Sequence, residues 1–340
     1  MDVVFRCDAN EEIGYGHVMR SMALAQYVQS RGDTVRFVLK KPPSFVKGCL
    51  EASAIEWANI DPSGPKEDYR STREAVNEFN TDWIVIDGYH FDTEYQSLWK
   101  KTGTNVAYLD DHAHLNQYNV NLLINQNLHA NRNVYKNKVN DNTKMLMGPD
   151  YILLRTEFLD CVDWKRETFS RPDRLLVTIG GTDTRNLVPD ILGWLQGGFD
   201  RNFETHIITA DADCVAGVKN DPRFVLRTDV DNMAVEMKHA DLAITASGTT
   251  VWEMCFMELP MLTVVTANNQ QDIANHLEQN GVSLNLGWYT DLTKDDVVDT
   301  TLKVLRDPEK RRTMSSQGRY IVDGKGVKRV YRHMKSVVKK

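Results

Sequence analysis

The sequence predicts an α/β protein made of two Rossmann-like, doubly wound domains. Short apolar runs alternate with amphipathic stretches in both halves, and several of these runs end in glycine or acidic turns. The chain has 340 residues, more than one core usually organises. We place the domains at residues 1–155 and 156–340, with the C-terminal helices in the second domain and a cleft between the two.

Composition narrows the function. An apolar fraction of 41% suffices for two cores, and 26% charged residues is ordinary. A net charge of -6 argues against general binding to nucleic acid or a membrane surface. Arg6, Asp8, Glu11 and Glu12 interrupt any leader-like apolar region, and no run approaches membrane-spanning length. Cysteines 7, 49, 161, 214 and 255 lack paired metal spacing and read as reduced thiols of a cytoplasmic protein.

In chain order, Val3-Val4-Phe5 is a strand and Asp8 to Gly16 a loop. Met19, Met22, Ala23, Leu24, Tyr27 and Val28 then recur at helical spacing up to Gly32. His17 therefore falls on a first helical turn. Gly14 and Gly16 leave room for a ligand against the backbone, Tyr15 stands between them, and free amides at a helix start suit an anion. Two readings of His17 stand: an acid–base group, or a helix-start histidine bonded to its loop. Arg20 lies on the same helical face, placed to contact phosphate or to pair with a carboxylate.

Thr34 to Leu39, Ile84 to Ile86 and Val106 to Leu109 read as further strands, the last two ending at Asp87-Gly88 and Asp110-Asp111. In a parallel sheet such ends share the ligand edge. Asp87, Tyr89 and His90 either touch a ligand there or form only a turn. Asp110, Asp111, His112 and His114 read as loop capping and hydrogen bonding rather than a metal site. The asparagine-rich stretch 125–144 reads as a long surface loop, and 151–174 as the crossing between domains.

The second half repeats the alternation. Leu175 to Ile179 leads into Gly180-Gly181-Thr182-Asp183, with a helix over Asn186 to Leu195. Leu242 to Ile244 leads into Ser247-Gly248-Thr249-Thr250 and a helix from Val251 to Glu258. Met261 to Val265 precedes Asn268-Asn269-Gln270-Gln271, and three helices close the chain. The Ser247 to Thr250 turn offers amides and hydroxyls to a diphosphate, and Glu253 offers a carboxylate to a ribose diol. The competing reading is helix capping, with Glu253 completing a capping box.

The run from Asp231-Asn232-Met233 through Ser247-Gly248-Thr249-Thr250, Glu253, Leu259-Pro260 and Asn269-Gln270 resembles the nucleotide-sugar half of the glycosyltransferase B architecture, as in MurG-like enzymes. Arg6 to Ala9, Ile13 to Arg20, Leu109-Asp110-Asp111, Asn125 to Leu128, Gly148 to Tyr151, Leu154-Arg155 and Gly180 to Asp183 resemble the PseG family of UDP-sugar hydrolases. Length and flavour are similar to the PseG-like spore-coat polysaccharide proteins of SpsG type.

The resemblance implies a UDP-sugar substrate, a diacetamido trideoxy sugar of pseudaminic (nonulosonic) acid or surface-polysaccharide synthesis. It implies that His17 activates water for attack on the anomeric carbon, with inversion. It places the UDP site at Ser247, Gly248, Thr249, Thr250 and Glu253, near Gly180 and Gly181. Asn269 and Gln270 would line the sugar and phosphates. Thr182 departs conservatively from the serine usual in the family turn. The scheme requires no metal and no cofactor, and names no nucleic-acid or membrane partner. A transferase using an acceptor hydroxyl, or a silent sugar-nucleotide binding protein, are the alternatives.

Overall fold

The computed structural model describes all residues except 11–12, 77–78, 182, 200–202, 210, 229 and 339–340. The chain forms two compact units: residues 1–156 with 324–340, and residues 157–323. The C-terminal segment, expected in the second domain, thus belongs to the first unit. Its helix Gly326–Val338 buries Val327, Val330 and Met334, and packs on the helix Gly16–Ser30. Its apolar stripe is the physical reason for the return: those side chains need a core to cover them.

Among the described residues, the first unit holds seven strands: β1 (Asp2–Cys7), β2 (Thr34–Lys40), β3 (Glu56–Ile60), β4 (Trp83–Asp87), β5 (Asn105–Leu109), β6 (Leu122–Asn125) and β7 (Lys144–Met147). Their order is β3-β2-β1-β4-β5-β6-β7, with parallel pairing throughout. The chain therefore winds outward from β1 in one direction and then from β4 in the other. The crevice at the carboxyl ends of β1 and β4, where the winding reverses, is where such sheets take ligands.

The second unit holds β8 (Arg174–Thr178), β9 (Glu204–Ile208), β10 (Phe224–Arg227), β11 (Leu242–Ala246), β12 (Met261–Val265) and β13 (Ser283–Trp288), in the order β10-β9-β8-β11-β12-β13. These pairs too are parallel, and the reversal falls between β8 and β11.

Burial explains the central strands. Every residue of β4, β11 and β12 is buried, as apolar runs covered on both faces must be. Leu175 and Val177 of β8 and Leu242, Ile244 and Ala246 of β11 meet Leu187, Val188, Ile191 and Leu195 of the helix Leu187–Gly198 in one core. No described helix is long and apolar enough to cross a membrane. All five cysteines are free thiols.

Residues 128–144 lie at the surface as expected, with only Tyr135 buried, but the start of the stretch at 125–127 departs from the surface-loop expectation. The stretch 125–144 includes the end of β6, a short helix Arg132–Tyr135 and the start of β7. Asn125, Gln126 and Asn127 are buried. Their amides are satisfied inside the protein, so polarity there does not mean exposure.

Candidate active site

The first unit gathers its chemistry at the winding reversal. The helix Gly16–Ser30 begins just after the loop that leaves β1, with Tyr15 as its N-cap and His17 in its first turn. Gly14 sits at φ 72, and its amide donates to the Asn10 carbonyl at 3.0 Å, closing the turn that precedes the helix. Tyr15 is turned inward and stacks on Phe45 with ring centroids 5.5 Å apart, while Gly14 and Gly16 are half-buried. Of this predicted group, Tyr15 supports the loop by packing, and the glycines line it.

His17 is held by a partner 70 positions away: its Nδ1 lies 2.6 Å from Oδ1 of Asp87, the last residue of β4. Arg20, one turn further along the helix, reaches both oxygens of Asp87, Nε to Oδ2 at 2.6 Å and Nη2 to Oδ1 at 2.6 Å. Its Nη1 donates to Asp111 Oδ1 at 2.7 Å. Of the two options for Arg20, phosphate or carboxylate, the structure holds the carboxylate pairing, with only 4% of the residue exposed.

Asp111 also accepts from the Tyr89 hydroxyl at 2.7 Å and from Asn127 Nδ2 at 2.9 Å. The Tyr89 ring in turn meets the His17 ring edge-on, with centroids 5.0 Å apart. Burial opposes ionisation of Asp87 and Asp111, yet Arg20 and the facing His17 hold both carboxyls below the usual carboxylate range. An ionised carboxylate only accepts hydrogen bonds, so His17 Nδ1 carries a proton, and in a neutral ring the lone pair is then on Nε2.

Neighbouring groups serve the frame. Arg6 is buried between Asp8 and Asp68, and His90 approaches Asp8 at 3.3 Å. Ligand atoms of Asp110, His112 and His114 come within 4.8 Å of one another, a juxtaposition with metal-like composition. Asp110, however, accepts from the Asp111 and Ala113 amides, His114 Nδ1 and the Tyr118 and Tyr135 hydroxyls. Its lone pairs are occupied by capping and hydrogen bonding, which leaves a poor ligand for a cation.

In the second unit, the turns after β8 and β11 stand on adjacent strands. Gly180, at φ 97, begins the first with Gly181 exposed beside it, and Thr182 lies outside the described residues. In the second turn, the Ser247 hydroxyl donates to the Val264 carbonyl at 3.1 Å and is fully buried. It shapes the turn, leaving Thr249 and Thr250 as the partly exposed hydroxyls. Thr249 is the N-cap of the helix Thr250–Phe256 and makes no side-chain capping bond. The capping reading of Thr249 is not realised. Glu253 lies in the first turn of that helix, half-buried.

Gln270 is brought to the same turn. Its Oε1 accepts from the Thr266 amide and hydroxyl at 2.9 and 3.0 Å, and its Nε2 stands 3.9 Å from where a side chain on Gly248 would begin. Asn269 precedes it, exposed. The Gln270 side-chain amide thus stands beside Gly248, in the turn that also carries Thr249 and Thr250.

The sequence did not pair Asp87 with His17, nor show Asp87 and Asp111 as the carboxylates that hold Arg20, with Asn127 behind Asp111. The available signal was positional: acidic residues ending adjacent strands lie on one sheet edge.

Comparison with known proteins now bears on this arrangement. The family model for the glycosyltransferase family 28 C-terminal domain matches residues 175–332. The chain is 24% identical over 297 residues to a Campylobacter jejuni protein named UDP-2,4-diacetamido-2,4,6-trideoxy-beta-L-altropyranose hydrolase, covering 83% of this chain and 97% of that one. It is 26% identical over 201 residues to the spore coat polysaccharide biosynthesis protein SpsG of Bacillus subtilis, covering 56% and 58%. The chain thus resembles PseG- and SpsG-type proteins in sequence.

An uncharacterised Methanocaldococcus jannaschii protein is 23% identical over 294 residues, covering 80% of this PseG-like chain and 57% of that relative. The match thus spans little more than half of two of these three curated relatives. Among solved structures, Acinetobacter baumannii MurG aligns with TM-score 0.65 at 15% identity, covering 98% and 99% of the two chains. A Listeria monocytogenes protein described as a putative UDP-N-acetylglucosamine 2-epimerase aligns with TM-score 0.69 at 13% identity, covering 99% and 96%. At such identities the likeness establishes the fold, which is the two-domain glycosyltransferase B type.

Proposed function

We propose that this PseG-like protein is a UDP-sugar hydrolase. His17 Nε2 takes a proton from water as the water oxygen bonds to the anomeric carbon. The bond from that carbon to the phosphate oxygen breaks, its electron pair leaves with UDP, and the sugar is released with inversion. The observation that carries this reading is the His17–Asp87 contact of 2.6 Å, which leaves Nε2 as the basic atom. The first unit supplies the base. The second supplies the nucleotide subsite, with Thr249, Thr250, Gln270 and the Gly180-Gly181 turn toward the phosphates and Glu253 toward the ribose.

The substrate we assign is a UDP-linked diacetamido trideoxy sugar, in nonulosonic acid or surface-polysaccharide synthesis. This choice is supported by the name of the Campylobacter jejuni relative, the match along most of both chains and the motif resemblance. No step of the scheme calls on a metal or a cofactor.

A transferase is the second reading, favoured by the family 28 match over residues 175–332. Product analysis separates the two. Incubation with UDP-diacetamido sugars and no acceptor is expected to give UDP and free sugar in equal amounts. UDP release that depends on an added acceptor would replace hydrolysis with transfer.

A further inference from the structure

We infer that Arg20 and Asp111 are positioning residues that decide which nitrogen of His17 carries the proton. The inference rests on the reading of His17 as the base. Arg20 is fixed at three points: both oxygens of Asp87 and Oδ1 of Asp111. A planar guanidinium can span that set, whereas an ammonium is a single point charge. Asp111 is anchored in its turn by Tyr89 and Asn127, so Arg20 is not available to swing toward a ligand.

The consequence falls on His17. Arg20 Nη2 lies 3.2 Å from His17 Nδ1, the nitrogen that also faces Asp87 Oδ1. Guanidinium nitrogens only donate, so Nδ1–H meets one acceptor, the carboxylate, and one donor that offers it nothing. As long as Arg20 keeps the fully buried Asp87 ionised, the proton stays on Nδ1 and the lone pair on Nε2. With Arg20 removed, Asp87 can take up a proton and donate it to Nδ1, which puts the hydrogen on Nε2 and abolishes the base.

Charge points the same way. The groups facing His17 are Asp87, Arg20 and the Tyr89 ring, with Asp111 behind Arg20. Two carboxylates and one guanidinium sum to one negative charge, which the proton gained by His17 would neutralise.

The test reads the tautomer directly. Full-length protein labelled with ¹⁵N-histidine is examined by long-range ¹H–¹⁵N spectra at about pH 8.5, where a histidine of ordinary basicity is neutral. His17 is assigned by its loss in His17→Asn. The wild type is expected to show Nδ1–H with an unprotonated Nε2. Arg20→Lys is expected to move the population toward Nε2–H and to slow turnover of a UDP-diacetamido sugar about tenfold or more, with UDP affinity within about twofold. Asp111→Asn, which keeps the Arg20–Asp87 pair, is expected to shift both readouts in the same direction by less. An unchanged tautomer in both variants would overturn the inference. Full turnover in His17→Asn would instead overturn the base reading beneath it, whatever the spectra show.

Discussion

Asp87 Oδ1 lies 2.6 Å from His17 Nδ1, joining the end of β4 to the first turn of the helix that follows β1. An asparagine at position 87 has the same shape but can turn an amide donor toward Nδ1, which reverses the tautomer. Asp87→Asn is therefore expected to lose about two to four orders of magnitude in kcat while UDP affinity by calorimetry stays unchanged. Activity within about twofold of wild type would remove Asp87 from the mechanism.

The same carboxylates tie stability to pH. Burial alone would raise the Asp111 carboxyl, but Arg20 and the facing His17 more than offset it, so its folded value lies below the usual range. Such a group stabilises the fold above the unfolded carboxyl value of about 3.9, and the contribution is lost as pH falls through the lower folded value. Thermal melting is thus expected to drop steeply below about pH 4, and less steeply in Asp111→Asn. Equal acid slopes would mean that other carboxylates, such as Asp8 and Asp110, carry the effect.

Which parts were legible follows from burial. Val3-Val4-Phe5, Ile84 to Ile86 and Met261 to Val265 are covered on both faces, so hydrophobicity alone marks them as strands. The edge strands β3 and β7 have exposed residues and mixed sequences, Glu-Trp-Ala-Asn-Ile and Lys-Met-Leu-Met, and carry no such mark. Asn125 and Asn127 misled because their buried amides bond to Asp111 and Tyr135, contacts that composition cannot display. His17 was visible through its glycine loop. Its dependence on Asp87 was visible only as a shared sheet edge, because 70 positions separate the two.

Gly326 makes the return of the chain to the first unit possible. A side chain there would place its first carbon 2.0 Å from the Ile152 carbonyl oxygen, well inside contact distance. Gly326→Ala must push the helix Gly326–Val338 away from residues 149–152, against which it packs. A loss of about 1 to 3 kcal/mol in urea unfolding is expected, as for overpacking in a tight core. Wild-type stability would mean that the helix docks with more slack than the backbone contact allows.

The nucleotide subsite is tested by binding alone. Glu253→Ala removes the carboxylate assigned to the ribose diol, and calorimetry should register a loss of about 1.5 to 3 kcal/mol in UDP affinity. Gly248→Val should block the approach to Gln270 Nε2 and abolish binding, because the position faces that amide at van der Waals range. UDP should bind equally well with or without a chelator. Tighter binding of CDP or GDP would overturn the uridine assignment.

The position of bond cleavage decides the chemistry. A base at His17 Nε2 delivers water to the anomeric carbon, so hydrolysis in oxygen-18 water should leave the label on the sugar and none on UDP. Attack at phosphorus would do the reverse, with the helix-start amides and Thr249 and Thr250 steadying charge on the attacked phosphate. Both routes consume the same substrate and give the same products, and both can require His17, so mutagenesis alone does not separate them. Mass spectrometry of the two products does. Label in the β-phosphate of UDP would end the anomeric mechanism even with His17 essential, and label in the sugar would leave phosphorus attack no part in turnover.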